Sequence, residues 1–411
     1  MLGDGMMVRL SPLNQQFFDS LVTSVGDLAD AETLPPECYV DREFYEFEKE
    51  AVFGHEWLCV GREEWVKNRG DFFNTIIADE PIVVTRGKDG EIRAMSSVCQ
   101  HRAMLVSEGR GNTKAFVCPY HHWTFALDGR LINAPAMNKT CNFHKEDHSL
   151  PSFKVEIWQG FIFINFDHDA EPLAPRLTEI DEVVDRYDMA TGEEIEFTPA
   201  FDFPWNWKVM FENNNDGYHA SRLHQGPLHD FVPSDRCHFP EVSPESAGYY
   251  RTNQTLHSDA SFNATQKALL PIFPRLTDED RNQMVFANIP PTLSLVMMSD
   301  SVIYLIVRAT GPERNEMDVG VLAAPGASKV EGFTQRMGMN GAAAAEIMAQ
   351  DQHVDEMVQV GLRSRFAKRG RYSWQEGAQL ALNQWLVPRY KQTWETHKSQ
   401  LMRGRAQLEQ V

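Results

Sequence analysis

Two short loops, Cys99-x-His101 and Cys118-x-x-His121, constrain this chain more than any other feature. Each offers one thiolate and one imidazole, and the two stand sixteen residues apart. Mixed loops of this kind suit a [2Fe–2S] centre in which one iron keeps two Cys and the other takes two His, a substitution that raises the reduction potential far above that of an all-Cys cluster. A Cys2His2 zinc site is the competing reading, but zinc fingers take two Cys from one loop and two His from a later element, whereas here the two types alternate. Cys141-x-x-His144 repeats the second loop's internal spacing. Context favours the earlier pair: Pro119 and Tyr120 lie inside it and Trp123 follows it before a strand to Leu127, while Cys141 sits in the polar stretch Lys139 to His148.

A chain of 411 residues with 42% hydrophobic content can bury two domain cores. Its formal charge of −19 repels phosphate backbones and anionic lipid, so neither nucleic acid nor a membrane is an expected partner. Met1 to Leu10 shows no basic flank leading into an apolar stretch and a cleavage site, and a cytoplasmic protein is expected. Six Cys are too few for a disulfide scaffold; Cys38, Cys59, Cys141 and Cys237 read as free thiols.

Helical spacing over 13–28 and 41–57 predicts two opening helices. From about Asp71 the pattern becomes short β runs, Ile82 to Thr85 and Ile92 to Val98, with Asp-Gly turns at Asp89-Gly90 and Asp128-Gly129. Both Cys/His loops fall in this all-β module, which closes on the run Gly160 to Phe166. An acidic connection with Pro172 and Pro175 follows. Helical patterns at 207–224 and 341–362 then bracket the β runs Leu293 to Met298, Val302 to Arg308 and Met317 to Ala323, and Ser373 with Glu376 predicts a capping box for a last helix. The expectation is an α+β chain: an N-terminal helical segment over 1–40, an all-β domain over 41–166, and a mixed α+β domain over 167–411.

A second polar cluster runs from Glu212 to His224. Imidazoles plus a carboxylate, with open coordination positions, make the facial triad that holds non-haem Fe(II). His219 and His224 are five residues apart and share no helical face, so both reach one metal only near a helix end or a bulge; Asp216 and His219 do share a face. Downstream, Asp351 falls on the stripe of Ile347, Val354 and Val358, where an unpaired carboxylate is costly and a metal relieves the cost. Asp355, nearer the edge of that stripe, is the second candidate, and His229 is a further histidine that spacing does not exclude. Phe211 and Leu293 to Met298 are candidates for a pocket wall, with core packing as the plainer role.

The pieces Cys99-Gln100-His101-Arg102, Cys118-Pro119-Tyr120-His121 with Trp123, Asn206-Trp207-Lys208, Asp216-Gly217-Tyr218-His219 with His224, and Asp351 with Glu356 and Gln359 closely resemble the α subunits of the Rieske non-haem iron oxygenases. The resemblance runs from Trp57 to about Leu362 and implies that the 167–411 region is a catalytic domain with a curved antiparallel sheet and helices, on which the 1–40 segment packs. It implies that Cys99 and Cys118 hold the buried iron of a [2Fe–2S] cluster, that His101 and His121 hold the outer one, and that His219, His224 and Asp351 hold a mononuclear Fe(II). It assigns Asp216 a catalytic role as the bridge toward a cluster histidine of a neighbouring subunit, because in such proteins electrons cross between subunits of an α3 homotrimer, sometimes with a β subunit. O2 and an organic substrate are the reactants. No Gly-x-Gly-x-x-Gly and no plant-type ferredoxin motif occurs, so electrons come from NAD(P)H through a partner reductase, with or without a ferredoxin.

Asn213 to His219 resembles the ring-hydroxylating members slightly more, which implies hydroxylation or dihydroxylation of an aromatic or other cyclic compound. Oxidative N- or O-demethylation or hydroxylation of a methylated amine or betaine-like substrate is the alternative, and a zinc or iron–sulfur binding or electron-transfer protein the non-enzymatic one. Two positions depart from the family pattern: Ala103 and His122 stand where glycine usually follows each loop, which bears on the backbone angles there.

Overall fold

The computed structural model describes residues 12–224, 228 and 230–408, with side chains as far as 399; the Met1 to Leu10 stretch and His229 lie outside them. The opening helical patterns break into short pieces: α1 (Gln15–Ser20) with a 3-10 turn, α2 (Glu37–Val40), and α3 (Arg42–Glu48) running into a π turn at Lys49–Phe53. Asn14 and Asp41 cap α1 and α3 through side-chain oxygens that accept backbone N–H bonds, which sets where each helix starts.

The first sheet takes β1 (Leu58–Arg62), β2 (Asp71–Ile77), β3 (Glu80–Arg86), β4 (Ile92–Ser96) and β5 (Arg110–Asn112). A small sheet follows from β6 (Phe116–Val117), β7 (Thr124–Phe125) and β8 (Leu131–Asn133), and β9 (Ser152–Trp158) and β10 (Phe161–Asn165) return to the first. The orders are β1-β10-β9-β4-β3-β2-β5 and β6-β7-β8. The two Asp-Gly turns form where expected, with Gly90 and Gly129 at φ of 97° and 86°, angles that only glycine adopts without strain.

The two Cys/His loops are built alike. The Cys99 N–H donates to the Met104 carbonyl and the Ala103 N–H to that of Cys99; the Cys118 N–H donates to Trp123 and the His122 N–H to Cys118. In each loop the fifth residue turns left-handed, Ala103 at φ 55° and His122 at φ 57°. These are the two positions where the family pattern has glycine, so each side chain here carries backbone strain.

After α4 (Thr178–Val184), the second sheet collects β11 (Glu193–Phe203), β12 (Cys237–His238), β13 (Tyr249–Gln254), β14 (Gln283–Ile289), β15 (Leu293–Met297), β16 (Val302–Gly311) and β17 (Arg314–Ala323) in the order β11-β17-β16-β15-β14-β13-β12. Its pairings are antiparallel throughout. Central strands are buried on both faces, which is why β15 is buried at every position, Ser294 included, rather than at alternate ones. One face packs with Phe161 and Phe163 of the first sheet and with Trp57 just before β1; the other lies under α5 (Trp207–Asn215), α6 (Gly217–Leu223) and α7 (Phe333–Leu362).

α7 begins nearer Gly332 than the sequence pattern placed it. It also buries a polar edge: Asp355 and Gln359 are its buried residues, whereas Met357, Val358 and Val360 are exposed. The expected Ile347–Val354–Val358 stripe is therefore not the packed face along its whole length. The Glu376 carboxylate reaches back to the Ser373 N–H as predicted, and α8 (Gly377–Leu408) starts beyond it. Among the described residues no helix is long and apolar enough to cross a membrane.

One buried ion pair clamps these elements together. Lys208 Nζ lies 2.7 and 2.9 Å from the two oxygens of Glu48, both side chains fully buried, and Trp207 Nε1 and the Tyr390 hydroxyl donate to the same carboxylate. Removing one partner of such a pair costs about 3–5 kcal/mol, because the other charge is left without compensation. Lys208→Met should lower the urea unfolding free energy by that amount, while Arg314→Met, in a pair with Asp202 that is 56% exposed on both sides, should cost no more than ~1 kcal/mol. For the loops, Ala103→Gly should relieve about 1 kcal/mol of left-handed strain and Ala103→Val should worsen it, read from the melting temperature of the β module.

Candidate active site

The two loops of the β module bring the four predicted cluster residues together. Cys99 and Cys118 are buried against Phe116, Trp123 and Phe125, and their thiols are within hydrogen-bonding reach of each other. His101 and His121 sit outside them, exposed, with ring centroids 4.6 Å apart. Trp123 stacks on His101 at 4.8 Å and is held from behind by Phe143 and His148. Burial pushes the Cys99 thiol up, and the adjacent Cys118 thiol acts in the same direction against the backbone N–H groups that lower it. Two sulfurs inside and two imidazole nitrogens outside form the donor set that a mixed-ligand [2Fe–2S] cluster requires. Cys141 is exposed, and His122 points to solvent from its strained position.

The second site is assembled by three elements. Asn206 caps α5; Asp216 ends that helix and caps α6, accepting from the N–H groups of Tyr218 at 2.6 Å and His219 at 3.3 Å. His219 thus lies in the first turn of α6 and His224 at its C-cap, φ −102° and ψ 39°, so the five-residue spacing is met just off a helix end. Asp351 comes across from α7. His219 Nε2 and His224 Nε2 are 3.1 Å apart, and Asp351 Oδ1 lies 3.4 and 2.9 Å from them. Donors about 2.1 Å from one ion and at right angles to one another stand about 3.0 Å apart, so this triangle has the size of one face of a metal octahedron.

The outward nitrogens are tied as metal-ligating imidazoles are. His219 Nδ1 lies 3.0 Å from Asp216 Oδ2, and His224 Nδ1 2.8 Å from Gln350 Oε1, which turns both Nε2 atoms inward. Burial alone would lower the His219 imidazole, but the bonds to Asp216 and Asp351 outweigh it and raise it to about 9. Burial raises the Asp351 carboxyl and the two imidazoles more than reverse that, so it is held low. A divalent cation would replace the proton these three groups share. Sequence reasoning had no signal for Gln350, nor for Asn213, whose amide Nδ2 lies 3.4 Å from Asp351 Oδ1.

The triad opens into a cavity of about 350 Å³ between the sheet and α7. Phe203, Trp205, Phe262 and Phe286 contribute aromatic walls. Of the residues proposed for a wall, Val296 and Met298 face the cavity, whereas Leu293, Leu295 and Met297 point into the core on the opposite side of the sheet and Phe211 packs in the core under α5. Asp355 lines the cavity, is 3% exposed and stands outside the triad. Burial, then the Asp351 charge, pushes its carboxyl up to about 8 from the ordinary 3.8. The folded state therefore holds a proton that the unfolded chain releases, and this stabilisation is lost as pH rises from about 4 through 8. In metal-free protein, Asp355→Asn should stabilise by more than ~1.4 kcal/mol near pH 9, a gain that shrinks toward pH 5 in paired denaturation curves.

Family profiles match both halves of the chain: the Rieske [2Fe-2S] domain over residues 56–154 and the ring hydroxylating α subunit catalytic domain over 185–392. The chain is 32% identical over 253 residues to the carnitine monooxygenase oxygenase subunit of Acinetobacter baumannii, a match covering 60% of this chain and 64% of that one. It is 33% identical over 266 residues to the biphenyl 2,3-dioxygenase α subunit of Rhodococcus jostii, covering 62% and 57%. These matches thus span less than two thirds of either relative. The solved structure of a quaternary ammonium Rieske monooxygenase superposes with a TM-score of 0.75 at 26% identity, over 89% of this chain and 96% of that one. A Rhodococcus naphthalene 1,2-dioxygenase shares the fold, with a TM-score of 0.77 at 21% identity over 93% and 99%. With the catalytic-domain profile covering half its length and the cluster-domain profile preceding it, the chain belongs to the ring-hydroxylating α subunits of the Rieske non-haem iron oxygenases.

Proposed function

We propose that this chain is the terminal oxygenase of a multicomponent system, in which O2 and electrons drawn from NAD(P)H through a separate reductase, directly or by way of a ferredoxin, hydroxylate or dihydroxylate an aromatic or other cyclic substrate. The observation that carries the reading is the inward-facing triad of His219, His224 and Asp351 at the mouth of an apolar cavity, on the same chain as the Cys99, His101, Cys118 and His121 set. Bound to these residues, the cluster supplies single electrons and the ferrous ion supplies O2 activation.

The protein's own groups do the rest. His219, His224 and Asp351 would hold the metal from one side, leaving room beside them for O2 and substrate. Gln350 and Asp216 fix which imidazole nitrogen faces inward. The apolar walls exclude water and hold the organic molecule beside the triad. Asp216 is only partly buried and already bonded to His219, which suits it to meet the exposed His101 or His121 of another copy. Exposed apolar side chains support an α3 homotrimer: Tyr120, Val117 and Ile132 on the small sheet and its loops, and Tyr218, Val358 and Phe366 around the catalytic helices. A cytoplasmic setting and the division into 41–166 and 167–411 belong to the same proposal.

A second reading, oxidative demethylation of a methylated amine, is favoured by the similarity to carnitine monooxygenase and by the aromatic walls, which can stack on an organic cation. Product analysis separates the two, since demethylation releases formaldehyde. Asp216→Asn keeps the cap on α6 but removes the charge. It should retain iron and acid-labile sulfide at wild-type levels while turnover falls at least 100-fold; normal turnover in that variant refutes the assigned role. His219→Ala should lose the mononuclear iron and leave the cluster's visible spectrum unchanged.

A further inference from the structure

The cavity floor has a direction. Cross-strand pairing sets Arg251, Phe286, Val296, Ile303, Val321 and Glu196 in one row across the second sheet, and all six side chains line the cavity. Directly paired residues share one face about 5 Å apart, so the row begins with a guanidinium, crosses four apolar side chains and ends on a carboxylate. The two ends differ in kind. Glu196 is exposed at the rim, whereas Arg251 is 4% exposed.

Arg251 is a buried charge with no counter-ion among the described residues. Its Nη1 donates to Asn253 Oδ1 at 2.7 Å and its guanidinium lies 3.6 Å over the Phe286 ring, but Nε has no hydrogen-bond partner. Among the described residues no carboxylate stands within ion-pair distance of it; the other buried arginine on this sheet, Arg308, has Asp318 at 2.7 Å. Asp216, the one carboxylate whose charge is felt at Arg251 among the described residues, already spends its oxygens on the N–H groups of Tyr218 and His219 and on the His219 ring. Burial lowers the guanidinium only to about 10, so it stays charged at neutral pH. A buried, unpaired charge is expensive and its partner is worth having, above all for arginine, whose planar fork takes a carboxylate by two parallel bonds.

We infer that Arg251 is a specificity-determining residue that binds the carboxylate of an organic acid, with the acid's apolar body lying along Phe286, Val296 and Ile303 in the cavity that the metal triad opens into. This deepens the oxygenase reading and rests on it for the identity of the cavity, since it makes the substrate an anion rather than a hydrocarbon or a simple amine.

The test uses the iron-loaded holoenzyme and measures equilibrium binding of 2-naphthoate and benzoate against their neutral amides, 2-naphthamide and benzamide, by calorimetry. The wild type should bind at least one acid tenfold or more tighter than its amide. Arg251→Gln should abolish that preference by weakening the acid at least tenfold while changing amide affinity less than threefold; unchanged amide binding and an unchanged cluster spectrum show that the variant is folded. Arg251→Lys, which keeps the charge but not the fork, should fall between the two. Equal binding of acid and amide by the wild type, no binding of either, or a preference that survives in Arg251→Gln overturns the inference. Oxygen uptake with a chemical reductant is read separately. A retained acid preference without oxygen uptake would refute the oxygenase reading and leave the anion site standing, and uptake driven only by amides or amines would do the reverse.

Discussion

The catalytic half depends on a single buried carboxylate, that of Glu48. Lysine, indole and phenol hydrogens all converge on it, from the first turn of α5 and from α8, and Tyr39 and Phe44 surround the lysine. Next to this clamp the Asn206 N–H donates to Gln359 Oε1 at 2.8 Å, tying the start of α5 to α7 two turns beyond Asp351. His219 and Asp351 are far apart in the chain, and their donors must agree to within a fraction of an ångström. The Glu48–Lys208 pair anchors α5, the Asn206–Gln359 bond ties the start of α5 to the helix that carries Asp351, and Asp216 joins α5 to the α6 that carries His219.

The polar chemistry is graded from this joint to the cavity. Tyr39 donates its hydroxyl to Glu212, whose carboxyl burial pushes up to about 7; Asp355 is raised further, and Asp351 is held low by two imidazoles. Of these acids, the one that keeps its charge is the one facing both histidines. Burial without a cation favours the protonated form, while adjacent imidazoles favour the anion. The helices thus place a charged carboxylate against both imidazoles, while Glu212 and Asp355, buried close by, resist ionising.

Much of this was legible in the sequence, for reasons particular to each feature. The Cys/His loops carried their chemistry in spacing and in the aromatic and β context that set Cys118-x-x-His121 apart from Cys141-x-x-His144, and the His219–His224 gap correctly demanded a helix end. The side of α7 was harder to read. Periodicity gave Asp351 an apolar stripe, yet the helix buries Asp355 and Gln359, because Gln359 meets the backbone at Asn206 and Asp355 faces the cavity, contacts that exist only once the chain has folded. β11, β13 and β14 were missed because polar residues line their cavity side or their edges, masking the alternation. Gln350 and Arg251 left no pattern, since a lone polar residue in a helix or strand reads as surface until its neighbours are known.

The unbroken burial of β15 has an evolutionary consequence. Because neighbouring residues point to opposite sides, Val296 and Met298 belong to the cavity while Leu295 and Met297 belong to the packing beneath. Odd and even positions of one short strand can therefore drift under separate pressures, one toward new chemistry and the other toward keeping the scaffold. A lineage can retune what it accepts by exchanging side chains on the upper side alone, whereas a one-residue insertion would swap the two sets and ruin both.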